Sequence, residues 1–397
     1  MKTFVKTTKT FLVLSIAASF AAPVAHAKKL LDYPGAKYDV LFTDPVCPSA
    51  EGIEKLTGEK GVSQYTYTKP VISNSGAVLT GKPKDAFCRN RFDLGASGGR
   101  DGSKPSGILG RSDESPQNRL VKWVESPEVK EIFFTYLSFS NKAVKNALCV
   151  RAQQGMPITF VNSSTEDPTV ANELVACAQP GKNNVKFLQR GMEGGIGYAH
   201  NKIFMVNPNS TTAMKIAFSS GNLTSGPVIH HENWHFIEVP SQAYFAQVHR
   251  CVMQAEVDEV VGRDRAKYME YIRQCRAKIT APEEEDIKAF FVPGEGERGQ
   301  DWETKLPFDN GSGRKTAWDF MRDGDGVNPG IRGADQILIG CHRFFYSRMI
   351  NALHEKMNAT GSKVDMRIMA DDDTYYKGVD PNFGSGDTDP AEWTNME

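Results

Sequence analysis

The sequence has no surplus of positive charge: 47 Lys and Arg stand against 48 Asp and Glu, a formal net charge of −1. No Lys/Arg-rich run interrupts it either. A sequence-independent grip on nucleic acid draws on clustered Lys and Arg, so these absences weigh against a nuclease. They do not exclude one, because a local cleft can be basic on a neutral protein. The apolar run at residues 11–24 is too short and too rich in small residues to span a bilayer comfortably.

That run reads instead as the core of a secretory signal. Lys2, Lys6 and Lys9 precede it, and Ala25-His26-Ala27 follows as a small-x-small cleavage site. Cleavage near Ala27 removes three lysines and no acids, leaving 44 basic against 48 acidic residues and a charge of −4. The expected location is outside the cell or in a periplasm. Seven cysteines follow the signal, and export permits disulfides. Sequential pairing joins Cys47 with Cys88, Cys149 with Cys177 and Cys251 with Cys275, and leaves Cys341 over. The alternative is that several are buried small hydrophobes.

Residues 28–115 are rich in Gly, Pro, Ser and Lys, with one strand candidate at 38–42 and a loop-like stretch at 95–116. From residue 131 the chain reads EIFFTYLSF, then AVKNALCVRAQQG, then PITFV, a strand, helix and strand in α/β rhythm. Further strands are expected at 185–188, 202–206, 215–218 and 234–239, and one long helix or two over 242–279. A second copy then starts. IFF at 132–134 and ILI at 337–339 lie 205 residues apart, and NAL recurs at the same offset, at 146–148 and 351–353.

Residues 198–206 read YAHNKIFMV. Side chains at i and i+2 of a strand share a face, so His200 and Lys202 project together as a pair suited to phosphate. Residues 218–224 read FSSGNLT, where Ser220 and Asn222 repeat that spacing and offer a hydroxyl and an amide. Glu232 follows in the run HHENWHF at 230–236. Together these resemble the H-x-K-x4-D and G-S-x-N signatures of the phospholipase D superfamily, with Asn207 where the motif has Asp and Ser219 where it has Gly.

The resemblance implies an α/β fold, a phospholipase D-like mixed-sheet sandwich flanked by helices, duplicated, with the second copy truncated. Residues 28–285 would form the first domain with an N-terminal extension, and residues 286–397 part of a second. It implies a phosphodiesterase in which His200 is the nucleophile, Lys202, Ser220 and Asn222 hold phosphoryl oxygens, and Glu232 orients the imidazole. Neither metal nor cofactor is implied. Phospholipid is the first substrate expected, a nuclease the runner-up, and a non-catalytic binder of anionic ligands the bland alternative. The 205-residue offset puts a second motif histidine near 405, past Glu397. A second histidine would then come from a further segment or from a second subunit across a twofold axis.

Other patterns carry less. His354-Glu355-Lys356 lies in the apolar period of a helix, where i and i+2 diverge. Asp323-Gly324-Asp325-Gly326 opens like a calcium loop, but Ala334 stands where the closing Glu belongs. Asp371 to Asp373 is a run at a strand end, and His231 and His235 have helical metal-ligand spacing on a strand-like pattern, which argues against zinc.

Overall fold

The computed structural model describes residues 28–43, 113–190, 199–224, 231–258, 265–291, 316–326, 328–341 and 347–370, with short strands at 45–46, 70–72, 78–80 and 89–90. The expected pairing of Cys47 with Cys88, the signal segment and the Asp371 to Asp373 run lie outside these residues.

The strands β1 (Lys37–Phe42), β2 (Ile132–Tyr136), β3 (Ile158–Ser163), β4 (Val185–Arg190), β5 (Lys202–Val206), β6 (Ala213–Ser219) and β7 (Asn233–Pro240) form one seven-stranded sheet in the order β1-β7-β6-β5-β2-β3-β4. The β2, β3 and β4 strands pair in parallel, whereas β1, β7, β6, β5 and β2 pair antiparallel in succession. The directions therefore bring the ends of β1, β2, β3 and β6 and the starts of β5 and β7 to one edge. The sequence-predicted strands all appear, with bounds that differ from the apolar runs by at most a few residues.

Helices cover both faces. Alternation along β2 sends Phe134 and Tyr136 to one side, where they pack with Phe160, Phe204, Trp234, Trp123, Leu148 and Leu174. Phe133 goes to the other, with Val161, Ile203, Ile237, Phe245 and Ile272. The first layer is α1 (Pro116–Glu125), α2 (Lys142–Gln153) and α3 (Thr169–Val175); the second is α4 (Tyr244–Val257) and α5 (Arg265–Ala277). Every residue of β2 is buried, as a central strand covered on both faces must be.

One sequence expectation changes and two are resolved in detail. The residues up to 116 read as loop, yet α1 begins at Pro116, capped by the Ser115 Oγ, which accepts from Asn118 N at 3.2 Å. The 242–279 stretch is two helices. Two of the three sequential disulfides are present: Cys149 with Cys177 closes α2 onto the end of α3, and Cys251 with Cys275 ties α4 to α5. Loops of this size give roughly 3–4 kcal/mol each in the chain-entropy account.

Farther on, α6 (Ala317–Asp323) precedes β8 (Gln336–Cys341), α7 (Ser347–Asn358) and β9 (Asp365–Ala370), with β8 and β9 paired in parallel. The α7 bounds lie 205 residues beyond those of α2, and both helices join two parallel strands. One face of this pair packs on Ile350 and Leu353, while Leu338 and Met369 on the strands are 66% and 68% exposed. His354 and Lys356 lie on α7, as the helical period predicts. Asp325 Oδ1 accepts from Asn328 N at 2.7 Å, within a turn. Among the described residues no group of three or more His, Cys, Asp or Glu is placed to hold a metal ion.

Histidine 249 makes stability depend on acid. Its ring is buried on α4 between Phe245, 4.3 Å away, and Phe291, 5.2 Å away, and pairs with the Phe245 carbonyl at 2.8 Å. Burial lowers its pKa to about 4, the carbonyl opposing and Arg276 adding to the fall. Because the folded-state value is depressed, the stabilisation is present above pH 6.5 and lost as pH falls towards 4, by about 3 kcal/mol. In urea unfolding at pH 7 and pH 4, wild type should lose about that much more than His249→Phe. Equal losses in both would remove the assignment.

Candidate active site

Three strand termini at this edge carry the predicted residues. His200 and Lys202 stand at the head of β5, Ser220 and Asn222 just past β6, and Glu232 just before β7. Lys202 pairs with Tyr136 of β2, Tyr136 with Asn162 of β3, and Ser219 with Trp234 of β7. Continuing the Phe218 to Ile203 register by one step sets Ser219 opposite Lys202. The site is thus a cross-strand row at the carboxyl ends of the parallel strands, where open α/β sheets commonly hold ligands.

The structure brings His200 and Lys202 into contact: Lys202 Nζ lies 3.2 Å from His200 Nδ1 and donates to the His200 carbonyl at 3.3 Å. His200 is exposed and Lys202 partly buried. Burial, then the Lys202 charge, lowers the His200 pKa from its ordinary 6.5, while Glu166 raises it. Burial likewise lowers Lys202 from 10.5, with Glu232 pulling it back up. Both shifts favour the uncharged forms, and the Lys202 amino group lies against Nδ1 of the imidazole.

Ser220 and Glu232 form a second contact. The Ser220 hydroxyl donates to Glu232 Oε2, and Asn233 N donates to the Ser220 Oγ at 3.0 Å. Glu232 is fixed from the other side by Thr43, whose Oγ1 accepts from Glu232 N at 2.6 Å. The structure sets Glu232 on Ser220 and within electrostatic reach of Lys202; the carboxylate whose charge reaches His200 is Glu166, in the turn after β3. Neither Glu166 nor Thr43 carries a motif. Thr43 ends a strand legible in the sequence, whereas nothing local marks Glu166.

Gly221 is required by this packing. A Cβ there would stand 2.7 Å from Glu232 Cδ and 2.8 Å from Oε1, inside contact distance. Gly221→Ala should therefore fold normally but swing Glu232 off Ser220. If the protein turns over bis(p-nitrophenyl) phosphate as proposed below, a shift of about 1 Å there should lower kcat/KM about 100-fold with an unchanged circular dichroism spectrum; full activity would show that the Glu232 contact is dispensable.

Several of the buried polar atoms without partners among the described residues lie on or beside this row. They include the Trp234 indole nitrogen, both amide atoms of Asn162 and Asn222 Oδ1. Turning the Asn222 amide by 180° exchanges its acceptor for a donor, since oxygen and nitrogen are assigned by their surroundings. Asn207, at the motif's Asp position, is structural. It holds the left-handed φ of 55°, its Oδ1 accepts from Lys130 N at 2.7 Å, and its Nδ2 donates to the Glu128 carbonyl at 3.1 Å. It pins the tail of β5 to the chain entering β2.

No family model matches the chain, and no curated protein matches it. Among solved structures it is similar to Nuc from Salmonella typhimurium, a phospholipase D family member, at 12% identity over 31% of this chain and 74% of that one, TM-score 0.25. NucT from Helicobacter pylori is similar at 12% identity, 39% and 86% coverage and a TM-score of 0.25. Polyphosphate kinase from Porphyromonas gingivalis matches at 12% identity, 65% and 36% coverage, TM-score 0.37.

Proposed function

We propose that the protein is an exported phosphodiester hydrolase with His200 as nucleophile. The observation that carries this reading is the imidazole held 3.2 Å from the Lys202 ammonium, with Ser220 and Asn222 at the adjoining strand end. His200 Nε2 attacks phosphorus, a P–N bond forms, and the P–O bond to the leaving alcohol breaks. Water then cleaves the phosphohistidine and restores the imidazole. Lys202, Ser220 and Asn222 stabilise charge on the nonbridging oxygens.

The contact between Lys202 and Nδ1 bears on the first step. An ammonium donating to Nδ1 leaves the ring proton on Nε2, the wrong tautomer for attack. A phosphate drawing Lys202 to its own oxygens frees Nδ1 to take that proton, with Glu166 on hand to support it. The leaving alcohol needs an acid, and a histidine from a second copy across a twofold axis is our assignment. Phospholipid is the substrate class we favour, because the mature chain is acidic overall and lacks a basic run. The two disulfides support export.

Purified protein in EDTA, offered phosphatidylcholine vesicles, plasmid DNA and bis(p-nitrophenyl) phosphate, tests the reading. Hydrolysis of the small diester and release of headgroup from vesicles are expected. Nicked plasmid with intact vesicles would reverse the substrate ranking, and no turnover of any of the three would leave a binder of anionic ligands.

A further inference from the structure

Asn201 sits between His200 and Lys202 and, by strand alternation, points through to the opposite face of the sheet. There its Nδ2 donates to Glu256 Oε1 near the end of α4. Glu256 is only 8% exposed, on a helix whose buried face is apolar but for His249 and Glu256 itself. A buried carboxylate is costly without partners, and this one has few. Its Oε2 has no hydrogen bond of good geometry, although the Thr135 hydroxyl of β2 is close enough to favour the ionised form. The charged group facing it is Arg190 of β4, whose Nε donates to the Glu256 carbonyl at 3.2 Å. The site's own motif explains none of these residues.

We infer that Glu256 is a positioning residue for the site: from behind the sheet it holds Asn201, and through Asn201 the spacing of His200 and Lys202, with a grip that depends on whether it carries a proton. The inference rests on reading His200 and Lys202 as the reacting pair. Burial raises the Glu256 pKa to about 7, opposed by Thr135, Asn201 and Arg190. Below that value the bond to Asn201 is between neutral groups; above it the bond is charge-assisted and roughly twice as strong. Since the folded-state value is raised, Glu256 stabilises the fold below about pH 4.5 and loses that contribution as pH rises through 7. A tighter grip on the site thus comes with a less stable fold.

Two readouts separate this from a structural role. In the full chain labelled at histidine, the His200 ring resonance, identified by its loss in His200→Ala, should titrate at its own value and inflect again near pH 7 as Glu256 ionises. Glu256→Gln keeps an oxygen for Asn201 and removes the charge, so it should fold and lose the second inflection. Asn201→Ala should lose it too. A second inflection that survives Glu256→Gln, or is absent from wild type, would overturn the inference. In parallel, kcat for bis(p-nitrophenyl) phosphate should rise about tenfold from pH 6 to 8 in wild type and less than about twofold in Glu256→Gln, with KM unchanged. If wild type turns over nothing yet shows the second inflection, the hydrolase reading fails and the Glu256 latch stands.

Discussion

Replacing His200 with Ala should lower phosphodiester turnover by about 10⁴-fold or more while leaving the fold intact, the largest effect expected of any single side chain here. The ring stands exposed at the head of β5, and among the described residues its hydrogen-bond contact is to Lys202. Truncation therefore opens no core cavity. What disappears is the covalent route: without the imidazole the displacement must run in one step, and the remaining Lys202 and Ser220 act only on charge at the nonbridging oxygens. Phosphate binding should survive, because those groups are untouched, so KM should change far less than kcat. The checks are steady-state kinetics on bis(p-nitrophenyl) phosphate and acid-quench trapping of a labelled phosphoenzyme, present in wild type and absent from His200→Ala. Turnover within about tenfold of wild type would remove His200 as nucleophile.

The pairing of His200 with Lys202 was legible because it is local: one residue of spacing on one strand fixes a shared face. Ser220 and Asn222 were legible for the same reason. The partner of each base was not. Glu232 follows the motif in sequence, yet the structure sets it on Ser220, while the Glu166 charge reaches His200 from a turn after β3. Which carboxylate faces which base depends on how β3 and β5 come to flank β2, and that is a matter of strand order rather than of any short pattern. Glu256 was invisible for a similar reason: it lies 55 residues from Asn201 and behind the sheet. The α1 helix was missed although its signals were present, with Ser115 as cap, Pro116 in the first turn and Leu120, Val121 and Val124 on its buried face. A Gly- and Ser-rich approach masked them. The 242–279 stretch reads as one long helix or two, and the structure has two.

The second large effect is expected from Phe134→Ala, at the centre of the sheet. Phe134 is fully buried and stacks on Phe160 at 4.8 Å and Phe204 at 5.6 Å, with Phe139 edge-on at 5.0 Å. These partners belong to β3, β5 and the loop after β2, so no single element can shift to fill the space. Removing a buried Phe from such a setting costs about 3–5 kcal/mol, from lost transfer energy and an unfilled cavity together. That is a large part of the roughly 5–15 kcal/mol that holds a domain folded. Because Phe204 lies two residues beyond Lys202 on the same face, and Phe134 two residues before Tyr136, the cavity would open directly beneath the site row. The Lys202 ammonium should then be held less firmly, raising KM for a phosphodiester while His200 still reacts. Urea unfolding followed by circular dichroism gives the first quantity, and kinetics well below the unfolding midpoint give the second. A loss under about 1.5 kcal/mol would mean that the aromatic cluster repacks. An unchanged KM would mean that the site is insulated from the core that carries it.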